Sequence, residues 1–297
     1  MCGVYCLGNI FRLIAFTGAS MSTYLITGAA GSLGSLLVSA LMEGNNIVRA
    51  YDIDEYGLAA LPKGSGWPEG NVRKIHGSIT DVRKLSRAIR GVDVVVHCAA
   101  MKNLDISEYN VQSLLDTNVR GTYNVATVCQ DHEVKTAVYI SSDKAATATT
   151  TYGVTKLLGE RIWKWAARTS KTPFLTLRSG NFFTSRGNVF EVWEKQHKHG
   201  DPLTLTNPAM QRYFIETEVV AQMVIDIINN AGVDPLRSGS VVVPKMREEL
   251  IFDLMKTCYP TDEYRVIGPR EGESLREDLF CKSDTIFYED ERWTVVG

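Results

Sequence analysis

Tyr152 and Lys156 stand four residues apart in the run Tyr152-Gly153-Val154-Thr155-Lys156. On a helix, positions i and i+4 share a face, so the phenol and the ammonium reach the same ligand. A neighbouring ammonium lowers a phenol's pKa from about 10 towards neutrality, and the phenolate then serves as a base towards a hydroxyl proton. The spacing alone also describes an ordinary pair on a helix surface. Two features upstream give it chemical meaning: Ser141-Ser142 closing an apolar, β-rich run, and a glycine-rich turn near residue 30. Together they point to redox activation of a substrate hydroxyl by a nicotinamide dinucleotide.

The turn reads Thr27-Gly28-Ala29-Ala30-Gly31-Ser32-Leu33-Gly34 and lies between a strand candidate, Tyr24-Leu25-Ile26-Thr27, and a helical segment, Leu33 to Met42. Glycines at this spacing let the backbone approach a pyrophosphate and set it on a helix N-terminus. Gly28, Gly31, Ser32, Leu33 and Gly34 are therefore expected to hold the cofactor. Asp52 closes the second strand. A carboxylate there accepts from both adenosine ribose hydroxyls and repels a 2′-phosphate, which favours NAD over NADP. Ser78 and Ile79, after the third strand, are expected to flank the adenine. Ala99 and Ala100, after the fourth, leave room for the adenosine; His97 reads as a core histidine.

The elements that must carry these residues alternate. Strand candidates Ile47–Tyr51, Val72–Ile75, Val92–His97, Ala137–Ile140 and Phe174–Leu177 are separated by the helical patterns Asp81–Arg90, Ser113–Cys129 and Val154–Arg168, with Asp81 as an N-cap. Apolar strands between amphipathic helices imply an α/β fold, a doubly wound parallel sheet of the Rossmann type with its ligand at the carboxyl ends of the strands. After Arg178 the alternation loosens into Gly-, Pro-, Asn- and Arg-rich segments. The expected organisation is an extension over residues 1–22, a dinucleotide-binding domain over 23–180 and a small C-terminal substrate-binding lobe over 181–297, with about 214–243 returning to the main domain.

Composition sets further limits. The 297 residues carry a formal net charge of −2, without the clustered positive charge that nucleic acid or an anionic membrane surface requires. No apolar run reaches the ~20 residues of a membrane-spanning helix. The six cysteines are scattered, and Cys2 and Cys6 have no second pair or histidine cluster to complete a metal site, so no metal is expected. The expectation is a reduced, cytoplasmic protein. Residues 1–20 are apolar, but no basic residue precedes the apolar run. An extension ahead of Met21 is favoured over a targeting peptide.

From Tyr24 to about Leu279 the chain resembles an extended short-chain dehydrogenase/reductase, and within that group the soluble, C5-inverting UDP-N-acetylglucosamine 4,6-dehydratases. The resemblance rests on Ile140-Ser141-Ser142-Asp143-Lys144-Ala145, Tyr152 to Lys156, Arg178-Ser179-Gly180-Asn181, Ser185-Arg186-Gly187-Asn188-Val189, Met210 to Phe214, Pro244-Lys245 and Ile267 to Glu277. It implies that Tyr152 removes the sugar O4 proton while Ser142 holds the same hydroxyl. Lys144 then acts as the C5 base, and a protonated Asp143 donates to the departing C6 hydroxyl. The hydride taken from C4 returns to C6, so the cofactor is not consumed. Arg212 and Arg270 are candidates for the UDP diphosphate. Asn181 is a candidate for the diphosphate or sugar, Glu273 for the uridine ribose and Lys102, with Asn103, for the rim of the sugar pocket.

Several positions depart from the resemblance. Ser142 replaces the usual threonine, and Asp52-Ile53 stands where many relatives carry an arginine and use NADP. Glu271, Ser274 and Arg276 replace proline, lysine and histidine in the closing motif. An NAD-dependent 4-epimerase shares Tyr152 and Lys156 but needs neither Asp143 nor Lys144. A non-catalytic dinucleotide-binding scaffold would need none of the four. Helices Ser113–Cys129 and Val154–Arg168 commonly pair across subunits in this superfamily, so a homo-oligomer is expected.

Overall fold

Short β-branched runs such as Val94-Val95-Val96, each at most 6% exposed, form strands covered on both faces. The computed structural model describes residues 21–42, 46–64, 71–270 and 272–297; the expectations for residues 1–20, Cys2, Cys6 and Glu271 lie outside the described residues. The first half runs β1 (Thr23–Thr27), α1 (Ser32–Met42), β2 (Ile47–Asp52), α2 (Glu55–Ala60), β3 (Val72–His76), α3 (Val82–Ile89) and β4 (Val94–His97). Then come α4 (Leu104–Ser107), α5 (Val111–Leu114), a π-helical turn Leu115–Gly121, α6 (Thr122–Asp131), β5 (Thr136–Ser142), α7 (Lys144–Thr147), α8 (Thr151–Thr169) and β6 (Phe174–Ser179).

The second half comprises β7 (Asn181–Phe182), α9 (Val189–His199), β8 (Leu203–Leu205), β9 (Gln211–Ile215), α10 (Thr217–Asn229), β10 (Val241–Pro244) and β11 (Arg247–Leu250). It closes with α11 (Ile251–Cys258), β12 (Tyr264–Val266), β13 (Ile286–Glu289) and β14 (Trp293–Val296). Asp81 caps α3 as its sequence position implies, accepting from the Lys84 N–H at 3.0 Å.

Nine strands form the main sheet in the order β13-β14-β10-β6-β5-β4-β1-β2-β3. β1 to β6 and β10 are parallel, and the order reverses between β1 and β4, where a doubly wound sheet opens a crevice for ligands. α1 and α10 cover one face through Leu37, Leu41, Val220 and Val224; α3, α6 and α8 cover the other through Leu85, Ile89, Val125 and Trp163. Each such fully buried side chain is worth about 1.5–3 kcal/mol. Among the described residues no helix is long and apolar enough to cross a membrane.

The C-terminal part divides differently from what composition implies. α10 and β10 lie on the main sheet, and so does the terminal hairpin β13–β14, with β14 antiparallel to β10. What stands apart is a small body made of β7, β9 and β11, the pair β8–β12, and helices α9 and α11. Its own core gathers Trp193, Leu203, Met210, Phe214, Leu254 and Met255.

A buried ion cluster ties the terminal segment to α8. Arg178, 1% exposed at the end of β6, forks onto Glu160 of α8 at 2.9 and 2.7 Å and reaches Asp284 at 2.6 Å and the Leu279 carbonyl at 2.9 Å. Two of its partners are carboxylates that water scarcely touches. Arg178→Met is therefore expected to cost about 3–5 kcal/mol of stability, because it strands both of them. Urea denaturation followed by tryptophan fluorescence measures this; a loss below about 1 kcal/mol would show the cluster to be dispensable.

Candidate active site

The glycine turn is wedged against the end of β4. Gly28 has φ +69°, and a Cβ there would lie 2.6 Å from the Ala99 nitrogen. A Cβ on Gly34 would meet the Gly28 carbonyl oxygen at 2.1 Å, so α1 starts tight against the turn. The first N–H groups of α1, from Ser32, Leu33 and Gly34, begin an 11-residue helix at the switch point. That is the donor set and the close backbone approach that a pyrophosphate needs, so these residues fit the expected dinucleotide.

Asp52 sits at the end of β2 with both oxygens engaged. Oδ2 accepts from the Ala30 N–H at 2.9 Å and Oδ1 from the Asp54 N–H at 3.0 Å. Each carboxylate oxygen has a second lone pair, which leaves acceptor capacity for ribose hydroxyls. Ala99 and Ala100 follow β4 as expected. Ser78 is half-buried, its carbonyl taking the Tyr51 hydroxyl at 2.8 Å, while Ile79 is 5% exposed and packs against Gly121. His97 is fully buried, bonded to Thr27 at 2.7 Å and Thr122 at 3.0 Å, and burial pulls its pKa down to about 3. It is a core residue.

The candidate catalytic residues converge at the ends of β5 and α8. Ser142 ends β5 and donates to Asp143 Oδ1 at 2.8 Å. Asp143 caps the single turn α7, which begins with Lys144 and ends at Ala148 in the left-handed region, φ 48°. Thr150 then caps α8, accepting from the Gly153 N–H at 3.0 Å. A Cβ on Gly153 would lie 2.4 Å from the Lys144 carbonyl oxygen and 3.2 Å from the Ala148 Cα. That bare approach packs α7 against the first turn of α8 and brings Asp143 and Lys144 beside Tyr152.

Tyr152 is 8% exposed, and its pKa is pushed up, first by burial and then by Asp143; only a hydrogen bond with Ser142 opposes this. Lys156 is 4% exposed and pulled down to about 8 by burial, against Cys98 and Glu160. Its ammonium donates to the Ile140 carbonyl at 2.6 Å and lies 4.5 Å from the Tyr139 ring centre. The expectation that the ammonium lowers the phenol's pKa is thus not met by these groups alone. Lys156 spends its charge on a carbonyl and an aromatic face, and desolvation dominates both members of the pair.

Asp143 is 1% exposed, and its Oδ2 is buried with no hydrogen-bond partner among the described residues. The Lys144 ammonium lies 3.7 Å from Asp143 Oδ1 and 3.5 Å from Glu277 Oε1. These two charges do not form the exposed loop pair that they would make on a surface. They sit inside the protein beside Tyr152.

The candidate substrate residues come together only in part. Arg212, on β9, is 6% exposed and donates to the carbonyls of Gln211, Leu275 and Ser274 at 2.7, 3.1 and 2.8 Å. It clamps the C-terminal loop rather than facing solvent. Arg270 is the accessible guanidinium, forked onto Asp105 at 2.6 and 3.1 Å with Glu273 at 3.7 Å. Asn181 donates to the Tyr213 carbonyl at 3.2 Å, and the Lys102 ammonium to the Arg186 carbonyl at 3.1 Å.

Three residues escape sequence reasoning. Asn118, in the π-helical turn and 1% exposed, exchanges two bonds with Met101 at 2.8 and 2.9 Å and donates to Thr155 at 3.1 Å. It thereby pins the loop after β4 to the helix carrying Tyr152 and Lys156, in a π segment of the sort that marks functional sites. Arg186 folds over the glycine turn, its N–H on the Ser32 hydroxyl at 3.0 Å and its guanidinium on the Ala30 carbonyl. Glu277, 3% exposed, meets both Lys144 and Arg212. The segments quoted from the sequence contain the last two, but nothing local signals their partners.

Residues 24–294 match the family described as polysaccharide biosynthesis protein. The chain is 36% identical over 280 residues to an uncharacterized membrane protein of Methanocaldococcus jannaschii, covering 88% of this chain and 81% of that one. It is 32% identical over 280 residues to a Campylobacter jejuni protein named UDP-N-acetylglucosamine 4,6-dehydratase (inverting), covering 92% and 82%. Relatives at 28% identity are named UDP-glucose 4-epimerase. Among solved structures, Pen from Bacillus thuringiensis superposes with a TM-score of 0.84 at 27% identity, over 93% of this chain and 89% of that one.

Because the Gly153 contact is with backbone, Gly153→Ala has no flexible neighbour to displace. The variant is expected to lose at least about 100-fold in turnover, since misplacing reacting groups by about 1 Å costs that much. Dinucleotide binding, expected at the glycine turn, should persist. Steady-state rates beside cofactor titration by fluorescence check this; unchanged turnover would show that the close packing is not what aligns Tyr152.

Proposed function

The chain belongs to the polysaccharide biosynthesis protein family of extended short-chain dehydrogenase/reductases, and on that footing we propose that it is a UDP-N-acetylglucosamine 4,6-dehydratase of the C5-inverting kind. The observation that carries the reading is the acid and amine of Asp143 and Lys144, side chains 2% and 15% exposed, on the turn packed against the helix that carries Tyr152, with Asp143 Oδ2 unpartnered among the described residues. A hydroxyl oxidation alone needs no second acid and base there; loss of water needs both.

NAD, when bound, accepts a hydride from the sugar C4 and gives one back at C6. The chain's own residues do the rest. Ser142 holds the O4 hydroxyl and Tyr152 takes its proton. Oxidation at C4 acidifies the C5 proton, which passes to the Lys144 amine. Asp143, 3.7 Å from the Lys144 ammonium, takes that ammonium's proton before the step and donates it to the C6 hydroxyl, which departs as water. The return of a proton to C5 completes a 4-keto-6-deoxy sugar. Lys156 orients the nicotinamide ribose. Asp52 accepts from the adenosine ribose, while Arg270, with Glu273 beside it, faces the UDP, and Asn181 is a further candidate for the diphosphate or sugar.

A cytoplasmic setting suits a reaction between a nucleotide sugar and a dinucleotide. The same proposal includes a second copy packed on α6 and α8, whose outer faces leave Tyr123, Val154, Leu158 and Trp165 between 41% and 50% exposed. The second reading is a 4-epimerase, favoured by the relatives of that name. It differs at one point, since an epimerase has no use for a C5 base.

Product NMR after incubation with UDP-N-acetylglucosamine in D₂O decides between the two. The expected product carries a 4-ketone, a 6-deoxy carbon, inverted C5 and deuterium at C5. Lys144→Ala should abolish C5 deuteration and dehydration while C4 oxidation continues, and normal dehydration by that variant would overturn the assignment. Cofactor choice is tested at Asp52. Asp52→Ser is expected to narrow the NAD preference at least about 10-fold through tighter NADP binding, and an unchanged ratio of dissociation constants would remove Asp52 from the ribose site.

A further inference from the structure

Seven side chains of alternating charge run from the catalytic pair to the mouth of the site. Asp143 is followed by Lys144 at 3.7 Å, Glu277 at 3.5 Å, Arg212 at 3.8 Å, Glu273 at 3.5 Å, Arg270 at 3.7 Å and Asp105 at 2.6 Å. They come from four places: the β5–α7 junction, the loop before β13, strand β9 and helix α4. The middle of the row is buried, with Glu277, Arg212 and Lys144 side chains 4%, 7% and 15% exposed. The outer end, Arg270 with Asp105, is open to solvent.

Glu277 is the joint of this row. A carboxylate 3% exposed is stable only with compensating charge, and it has two cations, neither closer than 3.5 Å. Arg212 is fixed by three backbone carbonyls, so it cannot follow its partner. Lys144 has a flexible four-carbon stem and, among the described residues, its ammonium meets only the two carboxylates. The fixed arginine therefore sets Glu277, and Glu277 sets Lys144. On the other side the Arg212 anchor is continuous with Glu273 and Arg270, where the nucleotide end of a substrate is expected.

We propose that Glu277 is a positioning residue that holds the Lys144 side chain beside Asp143, to which the lysine passes its extra proton before it takes the one from C5, and that it links that lysine to the arginine end of the site. The inference rests on the dehydratase reading and deepens it. A flexible lysine left to itself samples many rotamers, and each loses the short approach to C5 that proton transfer requires. Among the described residues no hydrogen bond or ion pair joins Glu277 to Tyr152, Ser142 or Lys156, so the first oxidation is expected not to depend on it.

The test separates the two steps. With wild-type enzyme and UDP-N-acetylglucosamine in D₂O, C4 oxidation is followed by the cofactor's absorbance at 340 nm in a single turnover, and C5 exchange by NMR. Glu277→Gln keeps the shape and removes the charge. It is expected to slow C5 exchange at least about 10-fold while C4 oxidation stays within about twofold. Glu277→Asp keeps the charge and is expected to recover part of the lost exchange. Retained C4 oxidation certifies the fold in both variants. Exchange unchanged in Glu277→Gln, or exchange and oxidation falling together in both variants, overturns the positioning role while leaving the dehydratase reading standing. Absence of C5 exchange in the wild type overturns both.

Discussion

The arrangement depends on one close contact between backbones. Where α8 begins, Gly153 comes so near the Lys144 carbonyl that a methyl group would not fit, at 2.4 Å. The single turn α7 is thereby folded back onto the long helix, with Ala148 taking the left-handed conformation that lets the chain reverse. Within a dozen residues the chain leaves the sheet at Ser142, presents Asp143 and Lys144, and returns with Tyr152. Sequence proximity supplies the groups; the glycine makes them share a space. A larger residue there would keep every catalytic side chain and lose their mutual distances.

Rigidity on one side of the site is matched by looser charge on the other. The β5–α7–α8 elbow is held by caps, by Asn118 through Thr155, and by the Arg178 fork on Glu160, one turn along the same face from Lys156. These are short, buried interactions, of the kind that specify a unique geometry when every member is satisfied. Opposite them, the C-terminal loop is joined to the site through ion pairs of 3.5 to 3.8 Å. Arg178 also reaches Asp284, so the far end of that loop is fixed to the same helix. The loop is thus held at Asp284 and, through the Arg212 bonds, at Ser274 and Leu275, with the longer ion pairs beside that clamp.

Much of this was legible in the sequence because it is local. The glycine turn, the strand-ending Asp52, the Ser-Asp-Lys run and the tyrosine–lysine spacing each declare themselves within a few residues, and the doubly wound sheet follows from strands and helices alternating up to Phe174–Ser179. What stayed hidden depends on long-range pairing. Residues 286–296 carry no mark that they complete the main sheet, since register against β10 is set by tertiary packing. Glu277 meets Lys144 across 133 positions of chain, and Arg212, chosen as an anion ligand for its guanidinium, is consumed by carbonyls of a loop 62 and 63 residues away. A residue type announces which bonds it can make. The fold decides which it does make.

The two lysines show how far environment outruns type. Both lie within reach of Tyr152's helix, yet Lys156 is desolvated against a carbonyl and an aromatic ring, while Lys144 stands between carboxylates. Desolvation pulls Lys156 down to about 8 and pushes the Tyr152 phenol up, so the buried pair is driven towards its neutral forms. Asp143 adds to that push on the phenol, and Ser142 alone works against it. A phenol so placed gives up its proton more readily only when further positive charge or further donors come beside it. The same burial that pushes the Tyr152 phenol up makes each further interaction stronger where water is excluded.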